Sequence, residues 1–159
     1  MGKRGREIVG ARVKDILVDL NAAYAFEWQA TYWFWLAARL TRGVAGHEVA
    51  ELFEDAVKEE MGHAGKFADR IAELGGTPVL DPAKLNEASF AKWVSPPAKG
   101  AHTSYLKQAI GFEREAITFY KALADKTRDV DLVTWKMVVE ILADEVVDEE
   151  KYENYLGAQ

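Results

Sequence analysis

Apolar residues recur along this chain at steps of three and four, and four long stripes can be traced from that rhythm. The first runs through Val13, Leu17, Leu20, Tyr24, Thr31, Phe34 and Ala38, and the second through Val49, Leu52, Ala56, Phe67, Ile71 and Leu74. The third takes in Leu106, Ile110, Ile117, Tyr120 and Leu123, and the fourth Val138, Ile141, Leu142, Tyr152 and Leu156. No stretch alternates convincingly with period two, so no sheet is expected. All four prolines, Pro78, Pro82, Pro96 and Pro97, fall between the second and third stripes. Gly43 and Gly46 separate the first stripe from the second, while Thr103 and Asp131 stand where helix N-caps belong. The pattern predicts an all-α chain, a single domain over 1–159, with helices over about 7–41, 47–74, 103–126 and 131–156. Two helix pairs joined by a crossover over about 75–102 make a four-helix bundle with a long connection between its second and third helices.

Each stripe is interrupted near its middle by ionisable residues. Glu27 breaks the first, Glu60 and His63 the second, Glu113 the third, and Glu145 with Asp148 the fourth. An unpartnered buried carboxylate is costly because burial strips its charged form of water. One such residue could reflect an ion pair or a misread helical phase; the coincidence on four helices argues against solvent-facing acids. No stripe carries Lys or Arg beside these positions, so bound cations are the simplest compensation. Residues three apart project one turn from each other, and Glu60 with His63, like Glu145 with Asp148, can therefore grip the same ion. Glu27 precedes Glu60 by 33 residues and Glu113 precedes Glu145 by 32, so the chain reads as two similar hairpins assembling a two-fold site.

Composition narrows the chemistry. The 159 residues include no Cys and three His, which excludes disulfides, thiolate nucleophiles, iron–sulfur clusters and Cys-type zinc sites. Metal chemistry here must be carboxylate chemistry, which favours oxygen-preferring ions. A net charge of −6 argues against a surface built wholly for nucleic acid. The N-terminus lacks an apolar signal core, and Arg6 stands where a myristoylation site needs Ser or Thr. The aromatic run Ala22–Leu40 carries Glu27 and Gln29 inside it and Arg39 at its end, so it reads as a buried helix and not a membrane span. A cytoplasmic protein without membrane contact is expected.

The stretch Glu59-Glu60-Met61-Gly62-His63-Ala64, followed by Arg70-Ile71-Ala72-Glu73-Leu74-Gly75-Gly76-Thr77-Pro78, resembles the second helix of bacterioferritins and related members of the ferritin superfamily, Dps-like proteins among them. Ile141-Leu142-Ala143-Asp144-Glu145 resembles their fourth-helix motif, and the layout matches over essentially the whole chain. The resemblance implies a ferritin-like four-helix bundle with a di-iron carboxylate site, a Glu from each of two helices and a Glu-x-x-His pair from each of the others. Carried over by position, Glu27 and His63 bind one ion, Glu113 and Asp148 the other, and Glu60 and Glu145 bridge them. The implied activity is a ferroxidase: two iron ions per chain, with manganese as the alternative metal, oxidation of Fe(II) by O2 or H2O2, and iron stored or detoxified in a hollow homo-oligomer of 12 or 24 subunits. A non-storage di-metal oxidase or peroxidase, and a structural or DNA-protecting assembly with a degenerate site, are the competing readings.

The departure from the family pattern is Asp148, which stands where a second His is usual: either it remains a ligand through its shorter carboxylate, or the second metal position is weakened or lost. With it, the six residues carry five carboxylates and one imidazole, one negative charge more than two divalent ions neutralise. Such a set favours ferric and other hard ions. Glu149 can substitute if the helical phase differs slightly. Met61 occupies the place where bacterioferritins put a haem-ligating methionine, although Met also fills gaps at helix interfaces. Lys3, Arg4, Arg6, Arg12 and Lys14 read as a solvated tail, with a DNA-contacting arm as the alternative. Dps-like proteins with bacterioferritin-like sites often carry a cysteine pair, absent here. Gly62 and Gly65 flank His63 at a cost in helix stability, which fits close packing or oxidant access. Tyr24 and Tyr120 read as core residues or donors to the acids. Trp28, Trp33 and Trp35 cannot all point inward, which predicts self-association. Phe90 and Trp93 suggest that the crossover holds a short helix packed at an interface.

Overall fold

The computed structural model describes residues 3–41 and 44–157. Helices α1 (Lys3–Val9), α2 (Val13–Leu40), α3 (Val44–Glu73), α4 (Leu85–Ala88), α5 (His102–Thr127) and α6 (Leu132–Gly157) are joined without a strand among the described residues. α2 packs along α3 and α5 along α6, and the two hairpins close on each other through narrower contacts between α2 and α5 and between α3 and both α5 and α6. This is the ferritin-like four-helix bundle with a long crossover. Its core holds Ile16, Leu20, Phe34, Phe53, Phe67, Ile71, Leu106, Val138 and Ile141, all fully buried.

Helix ends follow from local chemistry. The continuous helix expected over 7–41 is broken at Gly10, whose φ of +60° forces a 3-10 turn over Gly10–Arg12. Of the two glycines expected to end the first helix, Gly43 lies outside the described residues, and Gly46 sits inside α3, which begins earlier than expected. α3 ends at Gly75, φ +78°, with Gly76 N donating to Ile71 O and Gly75 N to Ala72 O, both at 2.9 Å. That 6→1 and 5→2 pair is a Schellman motif. Thr103 does not cap α5: the helix starts at His102, with Ala101 in extended backbone at the N-cap and no side-chain bond. Pro96 and Pro97 lead into it, and Tyr105 Oη ties it to Pro97 O at 2.7 Å.

Asp131 does cap α6, accepting from Thr134 N at 3.1 Å. Buried Arg70 on α3 donates to both Asp131 oxygens at 2.8 and 2.9 Å, to Thr134 Oγ1 at 2.8 Å and to Glu73 at 2.7 Å. The end of α3 is thereby bolted to the start of α6. In the crossover, Asp81 caps a 3-10 turn over Pro82–Lys84 that runs into α4. Phe90 then stacks between Phe26 and Phe119, with ring centroids 4.3 and 4.0 Å away. The short helix thus packs on its own bundle. Trp33 is buried, Trp28 half-buried and Trp35 exposed with Arg39 above its ring, so the three indoles do diverge. No described helix is long and apolar enough to cross a membrane.

Candidate metal centre

The six residues that interrupt the stripes all lie inside the bundle: Glu27 from α2, Glu60 and His63 from α3, Glu113 from α5, Glu145 and Asp148 from α6, each at most 4% exposed. They do not converge equally. One ligand atom from each of Glu27, Glu60, His63 and Glu145 falls within 4.8 Å of the others. These are the four residues that the resemblance gathers round one ion. Glu113 and Asp148 stand outside that set.

His63 is oriented from both sides. Its Nε2 lies 3.2 Å from Asp144 Oδ2, while Nδ1 faces Glu145 Oε1 at 3.3 Å and Glu60 Oε2 at 3.4 Å. In the neutral ring, an Nε2–H donated to Asp144 leaves the Nδ1 lone pair aimed into the centre. Tyr120 Oη donates a short hydrogen bond to Glu27 Oε1, so of the two tyrosines considered Tyr120 is a donor to an acid. Tyr24 instead meets Trp28 edge-on, with ring centroids 6.4 Å apart.

The remaining polar atoms test whether a cation fits. Glu27 Oε2, Glu60 Oε2, His63 Nδ1, Glu113 Oε1 and Glu145 Oε1 are buried without a hydrogen-bond partner. Orphaned acceptors in one water-excluded space are what a divalent ion satisfies. Electrostatics agree. Burial raises the Glu27 carboxyl well above the usual range, and the charges of Glu60 and Glu145 add to it. Burial likewise raises Glu113, helped by Glu145 and Glu60. Glu145 is raised by burial and by Glu60, against the pull of His63. His63 itself loses protonation strength to burial, but its contacts with Glu145 and Glu60 more than offset this and raise it to about 10. Burial and the crowding of like charges thus favour the protonated forms of these carboxyls, and the carboxylates favour the protonated ring of His63.

Two neighbours of the centre, Lys151 and Asp144, lie outside the stripe reading, and a third, Tyr152, entered it only as a core residue. Lys151 Nζ lies 3.4 Å from Asp148 Oδ1, which corrects the expectation that no basic residue stands beside these acids. The pair is three residues apart on one helix, the spacing already used for Glu60 and His63. Asp144, next to Glu145 in sequence, joins Glu59 and His63 in a second group of close ligand atoms nearer the surface, and Lys66 Nζ approaches it at 3.8 Å. Tyr152 is fully buried, its Oη unpartnered. Glu149 turns away to Arg114, at 2.5 Å, and Met61 is half-exposed. In the basic N-terminal stretch, Lys3 and Arg4 pair with Glu7, and Arg12 with Asp15.

Comparison with known proteins agrees with this architecture. The model of the ferritin-like domain matches residues 18–158. The chain is 27% identical over 150 residues to the DNA protection during starvation protein of Pyrococcus furiosus, covering 94% of this chain and 81% of that one. It is 28% identical to the bacterioferritin of Rhodobacter capsulatus, covering 91% and 81%. Among solved structures, a dodecameric thioferritin, the bacterioferritin-related protein of Bacteroides fragilis, superposes with a TM-score of 0.92 at 37% identity, over 99% of this chain and 94% of that one. With the family model covering most of α2, all of α3, α5 and α6, and every residue of the buried cluster, this chain belongs to the ferritin-like domain family.

Proposed function

We propose that the centre takes Fe(II) as its substrate, oxidises it with O2 or H2O2, and works within a hollow shell of twelve copies that retains the ferric product. The observation that carries this reading is the set of four buried ligand atoms, from Glu27, Glu60, His63 and Glu145, within 4.8 Å of one another. Three carboxylates and one imidazole bind Fe(III) more strongly than Fe(II), so the donor set itself favours electron loss. Two Fe(II) supply the two electrons that one H2O2 takes in becoming water, or that O2 takes in becoming H2O2. Protons held by Glu27 and His63 leave as the cation enters, and Asp144 keeps the imidazole aimed at it. The dodecameric Bacteroides fragilis relative supports twelve as the subunit number.

The test is aerobic oxidation of Fe(II), followed by the ferric absorbance, in wild type and Glu60→Ala. The variant is expected to fall to the rate of Fe(II) in buffer. Unchanged Fe(II) consumption would overturn the assignment. Turnover of peroxide without accumulation of a ferric mineral would favour a non-storage oxidase on the same centre.

A further inference from the structure

The two halves of the centre are not equivalent, and the difference traces to Asp148. Around His63 the donors are already gathered within 4.8 Å; around Asp148 they are not. Yet the second half also keeps polar atoms without partners. Glu113 Oε1 and Tyr152 Oη are buried there without partners, and the Tyr152 hydroxyl feels the charges of Glu113 and Asp148. Asp148 is 4% exposed, and Lys151 Nζ takes its Oδ1 at 3.4 Å, leaving Oδ2 free of that contact.

Charge explains the pairing. A histidine at this position would be a neutral ligand; an aspartate adds one negative charge, and the adjacent ammonium cancels it. The same ammonium repels an arriving divalent ion, so compensation comes at the expense of affinity. The lysine is well placed to do both. Its side chain is 36% exposed, and its charge also reaches Asp55 and Glu59 on α3.

Resting on the reading of this cluster as a cation-binding centre, we propose that the Asp148–Lys151 pair replaces the second imidazole as a charge-balanced unit, and makes the Glu113–Asp148 half a second, weaker divalent-cation position that fills after the Glu27–His63 half. Lys151 is then the residue that sets the spacing between the two affinities.

Co(II) is a suitable probe because it binds such donors, absorbs in the visible and is not oxidised under these conditions. Titration of the intact protein, followed by calorimetry and visible absorbance, is expected to show two successive events, the first tighter by about tenfold or more. Lys151→Met and Lys151→Gln are each expected to tighten the second event by about tenfold while the first stays within about twofold. Asp148→Asn is expected to lose the second event and keep the first. Two equivalent ions in wild type would overturn the proposal. So would a second event unmoved by either Lys151 variant, or both events shifting together. Glu60→Ala separates this from the underlying reading: undiminished Co(II) binding there defeats the centre itself. Loss of binding in Glu60→Ala together with Lys151 variants identical to wild type defeats only the role given to Lys151.

Discussion

In the proposed chemistry His63 is the pivotal residue, because each ring nitrogen answers to a different neighbourhood: Asp144 outside, Glu60 and Glu145 inside. Its protonation has a consequence for stability. Burial opposes the charged ring, but Glu145 and Glu60 lift it to about 10, above the ordinary 6.5. A raised histidine stabilises fully below about 6.5 and loses that contribution as pH climbs through about 10. Glu27, Glu113 and Glu145, raised by burial, also bind more protons folded than unfolded, so they too favour the folded state less as pH rises. The Tm of metal-free protein should therefore fall steadily from pH 6.5 to 10. A saturating divalent ion should flatten that fall and release protons on binding. A metal-free Tm that rises over this window would contradict the account. The six central residues were legible from sequence because each broke an otherwise apolar stripe. The donor role of Tyr120 was legible as one of its two readings, but Lys151, Asp144 and Tyr152 were not: a lysine one turn along its helix, or a tyrosine on a core stripe, looks ordinary until another helix is placed beside it.

At the scale of the helix, the ends decide how rigidly that centre is held. Arg70 and Asp131 join the last turn of α3 to the first turn of α6, the two helices that carry Glu60, His63, Glu145 and Asp148. Burial raises the Asp131 carboxyl, but bonds from Arg70 and Thr134 more than offset it and hold it below the ordinary range. Its contribution is thus present above that range and lost as pH falls through the lowered value. Asp131→Ala removes a cap worth about 1 kcal/mol and leaves the buried guanidinium only Glu73 and Thr134 as partners, for a loss of about 2–4 kcal/mol in all. Urea unfolding should show a large drop, and Asp131→Asn, which keeps the cap geometry, a smaller one. A loss below about 1 kcal/mol for Asp131→Ala would mean that Glu73 and Thr134 hold Arg70 as well without it. Asp131 could be read as a cap because capping is local. Arg70 could not, since its partners are 61 and 64 residues away. The break at Gly10 was hidden for the opposite reason: no proline or run of polar residues announces it.

The whole molecule extends the same division. Two hairpins and a proline-bounded crossover were readable because periodicity and proline position are properties of the chain alone. The course of the crossover was not, for it depends on Phe90 finding the cleft between Phe26 and Phe119. Nor is subunit number written in any stripe; in the proposed shell it would be set by surface residues, of which Ile8, Tyr32, Trp35, Val94, Leu132 and Val133 are exposed and apolar. Function at this scale joins the two: a shell without a cation centre stores nothing, and a centre without a shell has nowhere to put its product. Native mass spectrometry of protein loaded with Fe(II) under anaerobic conditions reads both at once. The account predicts a twelve-subunit species retaining at least one iron per chain, with Glu60→Ala forming the same species stripped of that iron. A wild-type assembly that retains no iron, or a Glu60→Ala assembly that retains as much as wild type, would contradict it.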